Sequence, residues 1–352
     1  MHEAIDMASL IERYVAIACQ YRQHEILRTE RTRRAVALNL ERLEAFVGWA
    51  YEQYSYGFPV KLIAFPETCI NGDTYVNIDE GLSMAEAIPG ESTDRLGELC
   101  KKFGVYLVAG MAEVHPDFPE TVFNSTPLIS PEGKVLITYR KVNPWLPDEF
   151  WPSPGDFLSA GWTDEMFPVA KTDIGNIGIY VCNDGTTPET ARQLAFNGAE
   201  ILVHPTMLMD PWVVPPLDIY DVQCRWHSFS NICYGVNANA AFEPDNSPPY
   251  AFHGGSNICD YQGRILAACP KAAVESFCFE PLDIGMLRAY RTTMPTHNGL
   301  ASFRGVYNYW NRPCTYPPNS QIKEDWDVRK SREYVRDAHK RFWRDYYKDS
   351  VK

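Results

Sequence analysis

The 352-residue chain has no apolar run near the roughly 20 residues that a membrane-spanning helix requires. It has no C-x-x-C pair, and its ten cysteines stand singly, without the neighbouring histidines of a zinc site. That pattern excludes a disulfide framework and a structural metal, and it predicts reduced thiols in a cytoplasmic protein. No metal and no other cofactor is expected. Positive charge is also scarce: 33 Lys and Arg against 45 Asp and Glu leave a formal net charge of −12. With no basic stretch to offset it, nucleic acid is excluded as a partner. The opening residues MHEAIDMASLIERY lack the basic-then-apolar order of a secretory leader. No repeat of motif length is present.

What remains is a chain with a core to build. Apolar residues make up 45%, and 26 prolines with 20 tyrosines point to long, ordered loops. Tyr14–Tyr21 alternates like a strand entering a core, and Thr32–Tyr54 carries Val36, Leu40, Leu43, Phe46, Val47 and Ala50 at helical spacing. Lys61–Glu67 is a continuous apolar strand that ends at a carboxylate, with Pro66 marking its end because proline cannot donate to a ladder. Strand, helix, strand in this order signals a sheet covered on its faces. A helix over Thr93–Phe103, a strand over Val105–Glu113 and a hairpin of Val122–Ser130 with Lys134–Tyr139 follow. The hairpin's second strand runs into Arg140 and Lys141, and then into VNPWLPDEFWPSPG, a rigid loop rich in proline and tryptophan. After the centre of the chain come a helix over Glu189–Gly198, a strand over Glu200–His204 and a helix over Ile219–Ile232. Strands over Tyr234–Ala240, Ser256–Asp260, Arg264–Cys269 and Val274–Phe279 lead to a last helix, Asp283–Tyr290. The strands fall in two similar batches on either side of the centre.

That centre is IGIYVCNDGTTPE, Ile177–Glu189. A buried strand ends at Cys182; Asn183, Asp184 and Gly185 turn the chain; Thr187 and Pro188 read as N-cap and first residue of a helix. A thiol on a strand-to-helix turn is lifted clear of the sheet, where backbone N–H groups favour developing negative charge. A lone cysteine is usually a small buried hydrophobe. Here two further strand ends supply what a nucleophilic thiol needs, because Glu67 can take its proton and the Lys141 ammonium can face an oxyanion. His204, His227 and His253 fall in the same half of the chain and read as structural.

The segments FPET (Phe65–Thr68), YRKVNPW (Tyr139–Trp145) and VCNDGTTPE (Val181–Glu189) resemble the nitrilase, or carbon–nitrogen hydrolase, superfamily. IPG at Ile88–Gly90, NGAEIL at Asn197–Leu202 and VNANAAF at Val236–Phe242 agree, so the resemblance covers about Tyr14 to Tyr309. It implies an α/β fold, a four-layer α-β-β-α sandwich of two stacked mixed sheets. It implies a Glu67–Lys141–Cys182 triad that cleaves a carbon–nitrogen bond through a thioester, a small-molecule amide as substrate, and a homo-oligomer. KVNPWLPDEFW is most similar to the aliphatic amidase and formamidase branch, which makes Glu149 a second, substrate-positioning glutamate and sets Trp145 against the acyl group. The same resemblance puts Thr68, Asn183 and Leu208 at the substrate. Thr68 and Leu208 stand where that branch carries aromatic side chains, so an acyl pocket roomier than one for formamide or acetamide is expected. The wording CNDxxxPET also resembles N-carbamoyl-amino-acid amidohydrolases, and carbamoyl or nitrile hydrolysis, or a silent binding protein on the same fold, are the alternatives. The expected organisation is a hydrolase domain over 1–310 and a charged, aromatic C-terminal extension over 311–352.

Overall fold

Seven consecutive residues, YVAIACQ, are buried along their whole length, so the strand they form, β1 (Tyr14–Gln20), must be covered on both faces. The computed structural model describes residues 11–22, 33–54, 57–72, 77–145, 149, 151–242, 251–293 and 298–301, with positions 333 and 337. The expected C-terminal extension lies outside these apart from those two positions.

After β1 the chain forms α1 (Arg33–Gln53), β2 (Val60–Ala64), α2 (Ile78–Met84) and α3 (Glu91–Phe103). Four strands follow: β3 (Tyr106–Val108), β4 (Met111–Val114), β5 (Val122–Ile129) and β6 (Val135–Arg140). The second half comprises β7 (Val169–Thr172), β8 (Gly175–Ile179), α4 (Pro188–Phe196), β9 (Ile201–Thr206), α5 (Ile219–Asn231) and β10 (Tyr234–Asn239). Two short strands, β11 (Ala241–Phe242) and β12 (Phe252–His253), precede β13 (Asn257–Cys259), β14 (Ile265–Ala268), β15 (Ser276–Leu282) and α6 (Ile284–Thr293).

These make two mixed sheets, β15-β1-β2-β3-β5-β4 with β6 beside β5, and β14-β13-β10-β9-β8-β7. In each the central pairs are parallel, β1 with β2 and β2 with β3, β8 with β9 and β9 with β10. Period-two alternation along β1 assigns its residues to opposite layers. Tyr14, Ala16 and Ala18 join Leu62, Ala64, Ile177, Leu202 and Val236 in the core between the sheets. Val15, Ile17 and Cys19 join Val36, Leu40, Leu43 and Leu96 under α1 and α3. Burying each such aliphatic side chain stabilises by about 1.5–3 kcal/mol. With α4 and α5 on the other sheet, the layers run helix, sheet, sheet, helix, as the resemblance implies.

The one long strand expected over Val105–Glu113 is broken into β3 and β4 at Ala109 and Gly110. The physical reason is the carboxylate-bearing turn that follows β2. A Cβ at Gly110 would stand 2.5 Å from the backbone nitrogen of Thr68 and 2.8 Å from the Cα of Glu67, so only a bare backbone admits that turn. Gly110 N–H donates to Pro66 O (3.3 Å), and Ile70 N–H donates to Gly110 O (3.3 Å). β7 and α2 went unforeseen because each is short, and α2 is capped by Asn77 rather than announced by apolar spacing.

The end of β6 is fixed by a buried ion pair. Arg140 Nε and Nη2 each donate to Glu113, on β4, at 2.6 Å, and the guanidinium stacks over Trp162. This anchor directly precedes Lys141. Glu113→Ala leaves a buried guanidinium without its bidentate partner, and the expected loss is about 3–5 kcal/mol in urea unfolding. A loss below about 1 kcal/mol, the range of exposed pairs, would mean that the pair does not anchor the strand.

Candidate active site

Glu67 opens the turn after β2, and Lys141 follows the last residue of β6. β5 carries Asn124 opposite Lys141, whose N–H donates to Asn124 O at 2.9 Å. The Lys141 side chain is 1% exposed, and its Nζ donates to Glu67 Oε1 at 2.7 Å and to Glu149 Oε1 at 2.6 Å. Asn124 Nδ2 donates to the same Glu67 oxygen at 2.7 Å. Glu149 is held in turn by the Trp145 N–H, at 2.6 Å from its second oxygen. Burial alone would pull the Lys141 ammonium down, but the Glu149 and Glu67 carboxylates outweigh it and hold the group well above its ordinary range. Burial pushes the Glu149 carboxyl up, partly against Lys141.

Cys182 begins a short 3-10 turn, Cys182–Thr186, immediately before α4. Its φ is +47°, a left-handed conformation that costs a non-glycine residue roughly 1–2 kcal/mol, and it carries the thiol off the strand axis. Burial first, and the Glu67 charge second, push the thiol well above its ordinary range, so it is protonated at neutral pH. Thr187 occupies the expected N-cap position, but its side chain makes no capping bond, and Pro188 is the first helical residue.

Glu67, Glu149 and Cys182 line one cavity of about 220 Å³. Trp145, Met207, Leu208, Met209, Trp212, Ile219 and Phe252 form its apolar wall, and Asn183, Thr186 and Gln223 its polar wall. Of the residues expected at the substrate, Trp145, Asn183 and Leu208 are therefore at this cavity. Thr68 is not. A φ of +49° at Thr68 directs its hydroxyl to Met207 Sδ (3.6 Å), and the residue is wholly buried behind the wall. Lys141 also lies behind the wall, reaching the cavity through the two glutamates. Much of the apolar wall comes from the single segment 207–219, where Trp212 packs edge-on to Trp145 at 6.3 Å. Leu208 is fixed there by Asn239, which accepts from Leu208 N–H (2.8 Å) and donates to Leu208 O (3.1 Å).

A profile of the carbon–nitrogen hydrolase family matches residues 16–292, well over half of the chain. The chain belongs to the carbon–nitrogen hydrolase family. A formamidase of Bacillus cereus (strain B4264) is 30% identical over 218 residues, a match that spans 60% of this chain and 58% of that relative. A carbon–nitrogen hydrolase of Helicobacter pylori G27 has the same fold, with a TM-score of 0.67 at 20% identity over 86% of this chain and 99% of that one. So does an amidase of Nesterenkonia sp. AN1, solved in complex with acrylamide, at TM-score 0.62 and 19% identity over 88% of this chain and 100% of that one.

Two histidines that read as structural in the sequence hold the cysteine turn of this family member. His204 Nε2–H donates to Cys182 O at 3.2 Å, and His227 Nε2–H donates to Gly185 O at 2.7 Å. His204 also stacks on Tyr180 with ring centroids 4.1 Å apart. Asp184 fastens the turn from below, accepting from Val181 N (3.0 Å), Tyr139 Oη (2.8 Å) and Asn143 N (2.8 Å). Neither the two donor roles nor that of Asn124 has a signal in linear spacing; a polar residue inside the apolar run VFNSTPLI was the only hint.

Burial pushes the His204 imidazole down to about 3 and also lowers that of His227. The unfolded chain takes up a proton at His204 near pH 6.5, whereas the folded chain refuses it until about pH 3. Stability from this group is therefore full above pH 6.5 and falls as the pH drops, by about 2 kcal/mol between pH 7 and pH 5. His204→Gln keeps a donor for Cys182 O and removes that titration. Its stability loss over the same interval, measured by urea unfolding, is expected to be smaller than that of the unsubstituted chain by about this amount. Identical slopes would contradict a neutral, buried His204.

Proposed function

We propose that this chain hydrolyses the carbon–nitrogen bond of a small non-peptide amide through a thioester on Cys182. The reading is carried by one observation: Cys182, Glu67 and Glu149 share a cavity, and the buried Lys141 ammonium bonds both carboxylates. A thiol held in its protonated form needs a base, and Glu67 is the carboxylate whose charge the thiol feels most. Glu67 takes the proton as sulfur attacks the amide carbon. The S–C bond forms, and the oxyanion is met by the backbone N–H that follows the cysteine, with the Lys141 ammonium behind the two glutamates adding its positive charge. The proton passes to the leaving nitrogen as the C–N bond breaks, releasing ammonia or an amine. Water, deprotonated by Glu67, then cleaves the thioester to a carboxylic acid and returns the thiol. Glu149, fixed by Lys141 and the Trp145 N–H, orients the amide. The relative named a formamidase supports amide chemistry for this site.

Localisation and assembly follow the same reading. Among the described residues no helix is long and apolar enough to cross a membrane, and nine cysteines are free thiols, which supports a reducing, cytoplasmic setting. Val222 and Trp226 on α5 are 59% and 53% exposed, one helical turn apart, and support a homo-oligomer.

Cys182→Ala is expected to abolish ammonia release while leaving the unfolding transition in place, and Glu67→Gln to lower turnover by on the order of a hundred- to ten-thousand-fold. Intact-protein mass spectrometry during turnover should find the acyl adduct at Cys182. An adduct at Cys224 or Cys233 with an active Cys182→Ala protein would end the proposal.

The acyl group is read from the cavity. Its 220 Å³ is several times the roughly 30 Å³ share of one water, and Trp145 with Trp212 narrows it without filling it. A one-carbon acyl group forgoes most of the wall, and each missing methylene is worth roughly 1–3 kcal/mol. Amides of three or four carbons are expected to exceed formamide in kcat/KM. Formamide as the best substrate of a graded series would overturn this part of the reading.

A further inference from the structure

The polar wall of the cavity holds one group that the protein does not satisfy. Gln223 is 7% exposed and lines the cavity, and its carboxamide makes no hydrogen bond among the described residues, its Oε1 being buried on the side of Gly185. Its polar neighbours are already engaged within the protein. Asn183 Nδ2 donates to Asn143 O and Pro144 O, both at 3.3 Å, and Thr186 Oγ1 donates to Asn183 O at 2.7 Å. Gln223 sits one turn after Ile219 on α5, so the two share the helix face turned to the cavity. Space for its carboxamide is kept by Gly185, where a Cβ would stand 2.9 Å from Oε1 and 3.0 Å from Cδ. A buried carbonyl left unpaired costs free energy, and native structures retain such groups where something else completes them.

We propose that Gln223 is a substrate-recognition residue, and that the preferred substrates are primary amides whose acyl chain carries a neutral hydroxyl or carboxamide. The proposal rests on the amidase reading above and adds a substrate class to it. Because a primary amide leaves as ammonia, everything else the cavity holds belongs to the acyl chain. A glutamine carboxamide both donates and accepts, which matches a group that does the same. No Lys, Arg or His is among the described lining residues, while Glu67 and Glu149 are, so an anionic chain would meet no countercharge there. The wall opposite is apolar, with Met207, Met209, Trp212 and Phe252 against the methylenes.

The test is a matched pair, 3-hydroxypropanamide and butanamide, which differ by a hydroxyl in place of a methyl group. The unsubstituted protein is expected to favour 3-hydroxypropanamide in kcat/KM by about tenfold, the worth of one hydrogen bond in a desolvated site. Gln223→Met keeps the length of the side chain and removes its polar end. It should lower kcat/KM for 3-hydroxypropanamide by about tenfold while leaving butanamide within about twofold, so that butanamide turnover also certifies the fold. Equal kcat/KM values for the two amides with the unsubstituted protein overturn the proposal without any variant. An equal loss for both amides in Gln223→Met overturns it too, because that is what a packing role gives. No ammonia from either amide, with Cys182 unlabelled by iodoacetamide, defeats the amidase reading and the proposal with it. Turnover of both without discrimination defeats the proposal alone.

Discussion

An ammonium group enclosed between two carboxylates, with 1% of its side chain open to solvent, is the constraint from which the rest of the site follows. Taking an ion out of water costs several kcal/mol, and geometry must restore that cost. Lys141 recovers it only if Glu67 and Glu149 both arrive within 2.7 Å, which means the end of β2, the end of β6 and the loop carrying Glu149 must converge at one point. Several features that look unrelated serve that convergence. Arg140 locks the end of β6 to Glu113, Asn124 holds the oxygen of Glu67 that Lys141 also binds, and the break between β3 and β4 lets Gly110 receive the Glu67 turn.

The other sheet meets this point with Cys182, under separate control. The carbonyls of its turn are occupied by His204 and His227, and its lower edge by Asp184. Both imidazoles are kept neutral by burial, so the turn is gripped by hydrogen bonds and not by charge. A nucleophile beside two carboxylates gains from this arrangement. A cationic histidine in the turn would favour the thiolate by its charge alone, whereas a neutral donor fixes position and, in the mechanism proposed, leaves proton transfer to the glutamate.

Much of the fold was legible in the sequence because buried strands such as YVAIACQ and KLIAF are nearly all apolar and their helices keep a regular period. The residues gathered at the cavity were legible as strand ends joined to family-like motifs, and Glu67, Glu149, Cys182, Trp145, Asn183 and Leu208 do meet there. Other features depend on backbone conformation or on cross-strand register, which linear spacing does not encode. The positive φ that turns Thr68 away from the cavity is one; the glycine that splits Val105–Glu113 is another. Asn124 acts through its place opposite Lys141, and Gln223 through its place on a helix remote in sequence from every motif. Trp212, outside every motif singled out in the sequence, lines the cavity and packs edge-on to Trp145.

The apolar wall has a plainer consequence. Met207, Leu208, Met209, Trp212 and Ile219 all come from one stretch of chain, whereas the charged groups come from strand ends of the first sheet and the loop beyond β6. Most of the apolar wall and the charged groups thus lie in different parts of the polypeptide, with Met207, whose backbone bonds Cys182, at the seam. The stretch is anchored at Asn239, and the hydrogen bonds that hold Lys141 between the two glutamates come from elsewhere. A scaffold divided in this way can diversify what it accepts while the bond it breaks stays the same.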